Sequence, residues 1–392
     1  DVYARYSTDG GLAWSPVLRV NDANNPLNPD QAPIPFRVDG RASRIGEYFG
    51  IDLFGGTAYV AWNGNTAPNV ANSQQVFFDA IPIKGSLAIF GDDTGVRDDT
   101  ITLRSIAGNP GFMEVIVNGQ RQYAGLWSAL TEVTIAAVGG RDTINIEDAW
   151  ASCPVTVNGG DGNDVINVSP QAMNLDKVKG RLTINGNTGS DALNIYDLNN
   201  PVSYLLPSLT YSVFGSNVSR AYGFPGARFP LYVSINYTTI DDLVLHTSDF
   251  ADLVQVHSTS ARTTVNGNAG NDVFQVSPAD RNLDNIRGNL WVFGHNGDDT
   301  AFLYDQSNPY SDPALSRLYT VTSSAVGRFY RMPGTNWPSY ASVSYDSLTS
   351  LELRAGAGAD VLDVPSTAAS TSVRINAGAG DDAGRAHAVV EH

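Results

Sequence analysis

Gly159-Gly160-Asp161-Gly162-Asn163-Asp164-Val165-Ile166-Asn167 is the stretch that decides the fold. Its glycines permit the positive φ of a tight turn and leave backbone carbonyls uncovered. Asp164 adds a hard carboxylate oxygen, and Ile166 starts a strand whose side chain points inward. Val155-Thr156-Val157-Asn158 runs into the turn and Val165-Ile166-Asn167-Val168 runs out of it. Alternating apolar residues on both sides of a glycine turn read as β-strand.

The pattern recurs. Gly267-Asn268-Ala269-Gly270-Asn271-Asp272-Val273-Phe274 and Gly186-Asn187-Thr188-Gly189-Ser190-Asp191-Ala192-Leu193 keep both glycines, the aspartate and the apolar position. Ala355-Gly356-Ala357-Gly358-Ala359-Asp360 loses only the first glycine. Gly294-His295-Asn296-Gly297-Asp298-Asp299 keeps the turn but has Ala301 at the apolar position. Ala377-Gly378-Ala379-Gly380-Asp381-Asp382 keeps the turn and then fails, with Gly384 where a strand should begin, so no strand is expected to follow it. Asp142 follows a shortened version. Two copies are decayed, with Phe250 before Asp252 and Arg97 before Asp99 at the fourth position, and these two are expected to bind nothing.

Asp142 to Asp164 is 22 residues and Asp164 to Asp191 is 27; Asp252 to Asp272 is 20 and Asp272 to Asp299 again 27. Asn158 and Asn266 are 108 apart, Asn266 and Asn376 110. A unit of about 108 residues therefore repeats, with a subperiod suited to one solenoid coil. That coil is too short for a βαβ unit, and no stretch has a helical period. The expected fold is all-β: a right-handed parallel β-solenoid over residues 85–392, with one motif turn per coil, so that the turns line a single edge.

The turns resemble the hemolysin-type, or RTX-like, calcium-binding repeat, G-G-x-G-x-D-x-U-x, across residues 85–392. The resemblance implies Ca²⁺ held between adjacent turns, since one turn supplies only part of the six to eight oxygens the ion takes. Carried over by position, the metal residues are Gly159, Asp161, Asn163, Asp164, Gly186, Asp191, Gly267, Asn271, Asp272, Asp298, Asp299, Asp360, Asp381 and Asp382. The chain departs from the family in that its nonapeptides are not in tandem.

Composition agrees with an acidic extracellular or cell-surface array. The chain has 34 Asp against 6 Glu, and a formal net charge of −16. Carboxylates about 4.8 Å apart on stacked coils repel by about 0.8 kcal/mol even at the dielectric of water, so cations are needed nearby. The acid excess argues against nucleic acid as partner. No run of 18 apolar residues is present, so no membrane span is expected. The lone Cys153 excludes an intrachain disulfide and reads as a small buried residue. Both ends read as those of a segment of a longer protein or a processed piece, and an open solenoid end favours end-to-end association of chains.

Residues 1–84 differ. Ser7-Thr8-Asp9-Gly10-Gly11-Leu12-Ala13-Trp14 resembles the Asp-box of sialidase-like β-propellers, a turn-stabilising hairpin that carries no catalytic residue. Strands are expected at Gly46-Glu47-Tyr48-Phe49-Gly50-Ile51, Thr57-Ala58-Tyr59-Val60-Ala61-Trp62 and Gln75-Val76-Phe77-Phe78. The segment allows two blades at most, hence a propeller remnant or a small antiparallel cap. Two aromatic segments, 211–241 and 319–346, interrupt the coils at equivalent places. They are either β-excursions packed on the solenoid flank or a carbohydrate-stacking platform.

No G-x-S-x-G, H-E-x-x-H or C-x-x-C is present, and the five histidines have no ligand spacing. Arg181, Arg262 and Arg287 could face a uronate only by analogy with polysaccharide lyases on similar folds. The sequence thus points to a secreted or cell-surface structural or adhesive solenoid, stabilised by calcium along one edge. The alternative is a carbohydrate-active enzyme, lyase or glycosidase, or a carbohydrate-binding module with cell-surface polysaccharide as partner.

Overall fold

The structure, a computed structural model, describes residues 84–91, 98–200, 209–222, 232–308, 317–331 and 338–386, with strand paths at 3–4, 18–19, 37–38, 41–42, 50–54, 57–65 and 74–82. The chain divides into two compact units. One comprises Asp1–Leu87, Ile106–Met113 and Ala124–Val133. In it Gly50–Phe54, Thr57–Asn65 and Gln74–Pro82 form an antiparallel three-stranded sheet. The second and third lie where the sequence predicts strands; the first shares only Gly50 and Ile51 with the expected 46–51, of which 46–49 lie outside the described residues. Tyr3–Ala4 pairs antiparallel with Leu18–Arg19. The Asp-box-like stretch between them, residues 7–14, lies outside the described residues.

The other unit holds Ala88–Ser105, Glu114–Tyr123 and Thr134–His392. Its repeats build two large sheets, one of fourteen strands and one of twelve. Val155–Asp161 lies parallel to Leu182–Thr188 in the twelve-stranded sheet, and Val165–Val168 parallel to Ala192–Tyr196 in the fourteen-stranded one. The chain changes sheet at each turn, so successive coils stack strand on strand: a parallel β-solenoid. No α-helix occurs among the described residues, only three short 3-10 turns.

Period-two alternation places like residues above like. Ile144, Ile166, Leu193 and Leu243 share one inward register, and Ile146, Val168, Ile195 and Leu245 the next. All eight are fully buried. Each such aliphatic contributes about 1.5–3 kcal/mol on burial, and this column is the main source of cohesion between coils. Cys153 is buried, as expected.

The described strands of the aromatic segments are part of the sheets, which corrects their placement on the flank; residues 223–231 and 332–337 lie outside the described residues. Leu209–Phe214, Asn217–Tyr222 and Tyr232–Thr238 form an antiparallel meander inside the twelve-stranded sheet. Its outer strands pair in parallel with Leu253–Val256 and Leu182–Thr188. Leu318–Val321, Ala325–Arg331 and Pro338–Asp346 do the same inside the fourteen-stranded sheet. Tyr211, Tyr237, Tyr319 and Tyr345 are core residues, and the Tyr237 hydroxyl donates to the Phe214 carbonyl at 2.6 Å.

A meander makes three strands of a single pass, so the repeat unit from Asp164 to Asp272 has nine strands but seven passes, and seven sheet-to-sheet crossings when one of its two motif turns is counted. Seven is odd, and this overturns the expectation of one edge. The Asp164 turn carries the chain from the twelve- to the fourteen-stranded sheet. Its equivalent at Asp272 carries it the opposite way, from Arg262–Asn266 to Val273–Val276. The motif turns therefore change edge with each unit: Asp142, Asp164 and Asp191 on one, Asp252, Asp272 and Asp299 on the other, then Asp360 and Asp382 back on the first. The last motif also keeps its strand, contrary to expectation. Ala383–Ala386 pairs with Val361–Val364, with Gly384 beside the half-buried Leu362.

Each meander is pinned by a buried ionic cluster. Asp197, fully buried, accepts from the Leu175 N–H at 2.8 Å, the Tyr211 hydroxyl at 2.7 Å and Arg220 Nη1 at 2.8 Å. Arg220 Nη2 reaches Asp176 at 2.6 Å. The set recurs 108 residues on as Asp305, Leu283, Tyr319, Arg328 and Asp284. Removing one partner of a buried pair leaves an uncompensated charge. Arg220→Ala is expected to lower unfolding free energy by about 3–5 kcal/mol in urea titration. Replacing both partners (Arg220→Met with Asp197→Leu) is expected to lose less, because no buried charge is then left alone.

Candidate functional site

The glycines and aspartates of the motif interlock. The fourth-position glycine has positive φ, 133° at Gly162 and 136° at Gly189, and a Cβ on Gly189 would overlap the carbonyl of Gly162 in the coil beside it. The first-position glycine makes room for the aspartate of its own turn. A Cβ on Gly159, Gly186, Gly267 or Gly294 would collide with Oδ2 of Asp164, Asp191, Asp272 or Asp299 respectively. At these turns glycine at both places is thus a packing requirement, whereas the third block has Ala355 and Ala377 at the first position.

The aspartates form hydrogen-bonded ladders. The Asp142 N–H donates to Asp164 Oδ1 at 2.9 Å, and the Asp164 N–H to Asp191 Oδ1 at 2.9 Å. On the other edge the Asp252 N–H donates to Asp272 Oδ1 at 2.8 Å, and the Asp272 N–H to Asp299 Oδ1 at 2.9 Å. In the third block the Asp360 N–H donates to Asp382 Oδ1 at 2.9 Å. Position five adds a parallel row, with Asn163 Oδ1 accepting from the Ser190 N–H and Asn271 Oδ1 from the Asp298 N–H. Asp161, at position three, accepts from the Thr188 hydroxyl of the coil beside it. Asp298 and Asp381 are exposed and Asp382 half-buried.

The first carboxylate of each block has no motif turn preceding it to donate an N–H, and another group serves. Asn118 Nδ2 donates to Asp99, the Ser248 N–H and hydroxyl to Asp252, and Arg317 Nη1 to Asp360 at 3.2 Å. Asp99 and Asp252, which follow the two decayed copies, are therefore starting members of the ladders, the Asp99 N–H donating to Asp142 Oδ1 at 2.7 Å; residues 92–97 lie outside the described residues. Neither the ladder starts nor the Arg220 and Arg328 clusters were found from the turn motif. The signal was the 108-residue recurrence of Asn174-Leu175-Asp176 as Asn282-Leu283-Asp284, with Asp197 and Asp305 following.

One oxygen on each rung is left over. Oδ2 of Asp142, Asp164, Asp191, Asp272, Asp299 and Asp360 is buried without a hydrogen-bond partner. Burial is the first cause, and the neighbouring carboxylates add to it, in pushing Asp142 up to about 6 and Asp272 up to about 8. Burial likewise pushes Asp252 up to about 7. An oxygen so placed is satisfied by a proton or by a cation. At Asp360 the protein brings a cation to the same carboxylate, though to its other oxygen: Arg317, itself buried, binds Asp360 Oδ1 and, at 2.9 Å, the Ala357 carbonyl, while Oδ2 stays without a partner. A carboxylate plus a turn carbonyl is a hard-oxygen donor set, the kind calcium takes. The residues fit the ion in donor chemistry at one carboxylate per turn; among the described residues no three acidic, histidine or cysteine side chains converge on one point. Oδ2 of Asp164, Asp191, Asp272 and Asp299, with the carbonyls of their own turns, would hold it.

His246 stacks on Tyr196, His257 on Phe214 and His295 on Phe293, so three histidines serve as outer-face aromatics. Arg262 is paired with Asp242. Comparison of the sequence with protein-family models and with curated proteins finds no match.

Two outcomes are expected. Gly189→Ala meets both a positive φ and a carbonyl, whereas Gly119→Ala at φ 75° meets open space. Gly119→Ala is expected to cost about 1–2 kcal/mol, the left-handed penalty alone, and Gly189→Ala more; urea midpoints compare them. The second concerns pH in chelator. Asp142, Asp252 and Asp272 titrate higher in the folded chain than in the unfolded one, so the folded state holds more protons across that window. Their stabilisation is complete below about pH 4 and is lost as pH rises through about 8. Melting temperature is expected to fall from pH 5 to 8, with a shallower slope in Asp272→Asn.

Proposed function

We propose that the protein is a structural or adhesive β-solenoid of the cell surface or extracellular space, whose turn ladders take calcium. The carrying observation is the set of buried, unpartnered Oδ2 atoms recurring at equivalent turns, beside one turn where Arg317 already supplies the positive charge. A wall of carboxylates on a chain of net charge −16 is held together more firmly by a divalent cation than by water alone. The architecture supports this role: the repeated unit stacks on itself, and its core is spent on cohesion between coils. No helix among the described residues is long and apolar enough to cross a membrane.

Calcium at the ladders replaces the proton that the rungs otherwise need, so its effect depends on pH. Binding only to the folded state stabilises by about 2.7 kcal/mol per site at a hundredfold excess over Kd. Millimolar Ca²⁺ is expected to raise the melting temperature at pH 8 and to do much less at pH 5, where Asp142, Asp252 and Asp272 are protonated. An unchanged midpoint at pH 8 removes calcium from the account. Asp164→Ala and Asp272→Ala are expected to weaken calcium binding in isothermal titration, each removing a rung oxygen. Asp99→Ala should leave affinity intact, because Asn118 already serves that carboxylate, whereas Asp252, whose Oδ1 is buried without a partner, should behave as the other rungs do. Equal loss in Asp99→Ala and in the rung variants would contradict this assignment.

A further inference from the structure

The outward face of the fourteen-stranded sheet has a depression of about 340 Å³, which begins one residue beyond the Asp191 rung. It is lined by Ala192, Asp242, Val244, Arg262, Thr264 and Trp291. Register explains the shape. Ala192, Asp242 and Arg262 are aligned neighbours, and Val244, Thr264 and Trp291 align beside them. Short side chains on consecutive strands leave a floor, and Trp291 stands at its side with 43% of its surface exposed. The next outward row continues in rings: Tyr196 stacked on His246 at 5.0 Å, and Phe293 at 6.2 Å from Trp291.

The chemistry of this face selects among ligands. An exposed indole on a soluble surface is a stacking partner for a flat apolar face that also carries polar groups. The Arg262 guanidinium and Asp242 carboxylate offer donors and acceptors side by side, and Thr264 adds a hydroxyl. Arg262 and Asp242 neutralise one another, so the site has no net charge to attract a uronate or phosphate, and the chain's −16 opposes one. An extended peptide adding to the sheet needs free strand edges. Here the strands of the floor are already paired on both sides, so the backbone offers a peptide nothing.

We infer that this depression binds a neutral oligosaccharide, with a sugar ring stacked on Trp291 and its hydroxyls bonded by Arg262, Asp242 and Thr264. The inference does not depend on calcium. The test is binding of the full chain to immobilised neutral glycans (β-1,3- and β-1,4-glucan, α-glucan, mannan and xylan), with polygalacturonate as the acidic arm, in Ca²⁺ and in chelator. At least one neutral glycan is expected to bind in both conditions and polygalacturonate in neither. Trp291→Ala is expected to weaken that binding at least tenfold, and Arg262→Gln to weaken it less, with urea midpoints close to wild type because both side chains are exposed. Failure to bind every neutral glycan, preference for polygalacturonate, or full binding by Trp291→Ala would each overturn the assignment.

Discussion

One interaction recurs at every motif turn: a backbone N–H of one coil donates to an aspartate carboxylate of the next. The bond at Asp142 and Asp164 requires that the carboxylate turn inward beneath its own chain, and the first-position glycine exists to let it. It also requires that two turns approach so closely that only glycine fits at position four. Both glycines and the aspartate are thus consequences of one contact between coils. Losing any of them disturbs the neighbouring coil as well as its own. Such a contact also has a cost, because it buries an oxygen that the protein does not satisfy by itself. Stability at these turns is therefore tied to whether that oxygen carries a proton or, on the proposed function, a metal ion; at Asp360 an arginine binds the other oxygen of the carboxylate.

The meanders decide where the ladders run. Each one adds strands to a sheet without adding a sheet-to-sheet crossing, and the unit closes on an odd number of passes. Ladder blocks consequently cannot extend through the whole repeat array; they stop and restart on the opposite edge. Each restart needs a donor for a carboxylate that has no motif turn preceding it, and the three solutions differ: an amide at Asn118, a hydroxyl at Ser248 and a guanidinium at Arg317. The buried Arg220 and Arg328 clusters belong to the same problem. They hold each meander against the preceding turn, where the column of stacked coils is interrupted.

The outer faces carry a different kind of order. Asn167 Nδ2 donates to Asn145 Oδ1 and Asn194 Nδ2 to Asn167 Oδ1, an amide ladder of the sort found wherever identical strands stack. Further along the same face the amides give way to Trp291, Phe293, Tyr196 and His246. Cohesion between coils is supplied by the aliphatic columns inside, so outward residues are free to vary, and a ligand surface can be placed there without loss of fold.

Much of this was legible in the residues themselves. Gly162 and Asp164 identify a tight turn, Val155 to Asn158 and Val165 to Val168 identify its strands, and the 108-residue recurrence of Asn158 identifies a stacked repeat. These are local or periodic properties, and a stacked fold repeats its local rules. The number of passes per unit was not legible, because Tyr211 and Tyr237 look alike whether a segment lies on a sheet or within it. The edge taken by Asp272, the donor that meets Asp360 and the company of Arg220 all follow from that number. Which coil lies beside a given turn is a property of the whole path of the chain, and only the tertiary structure decides it.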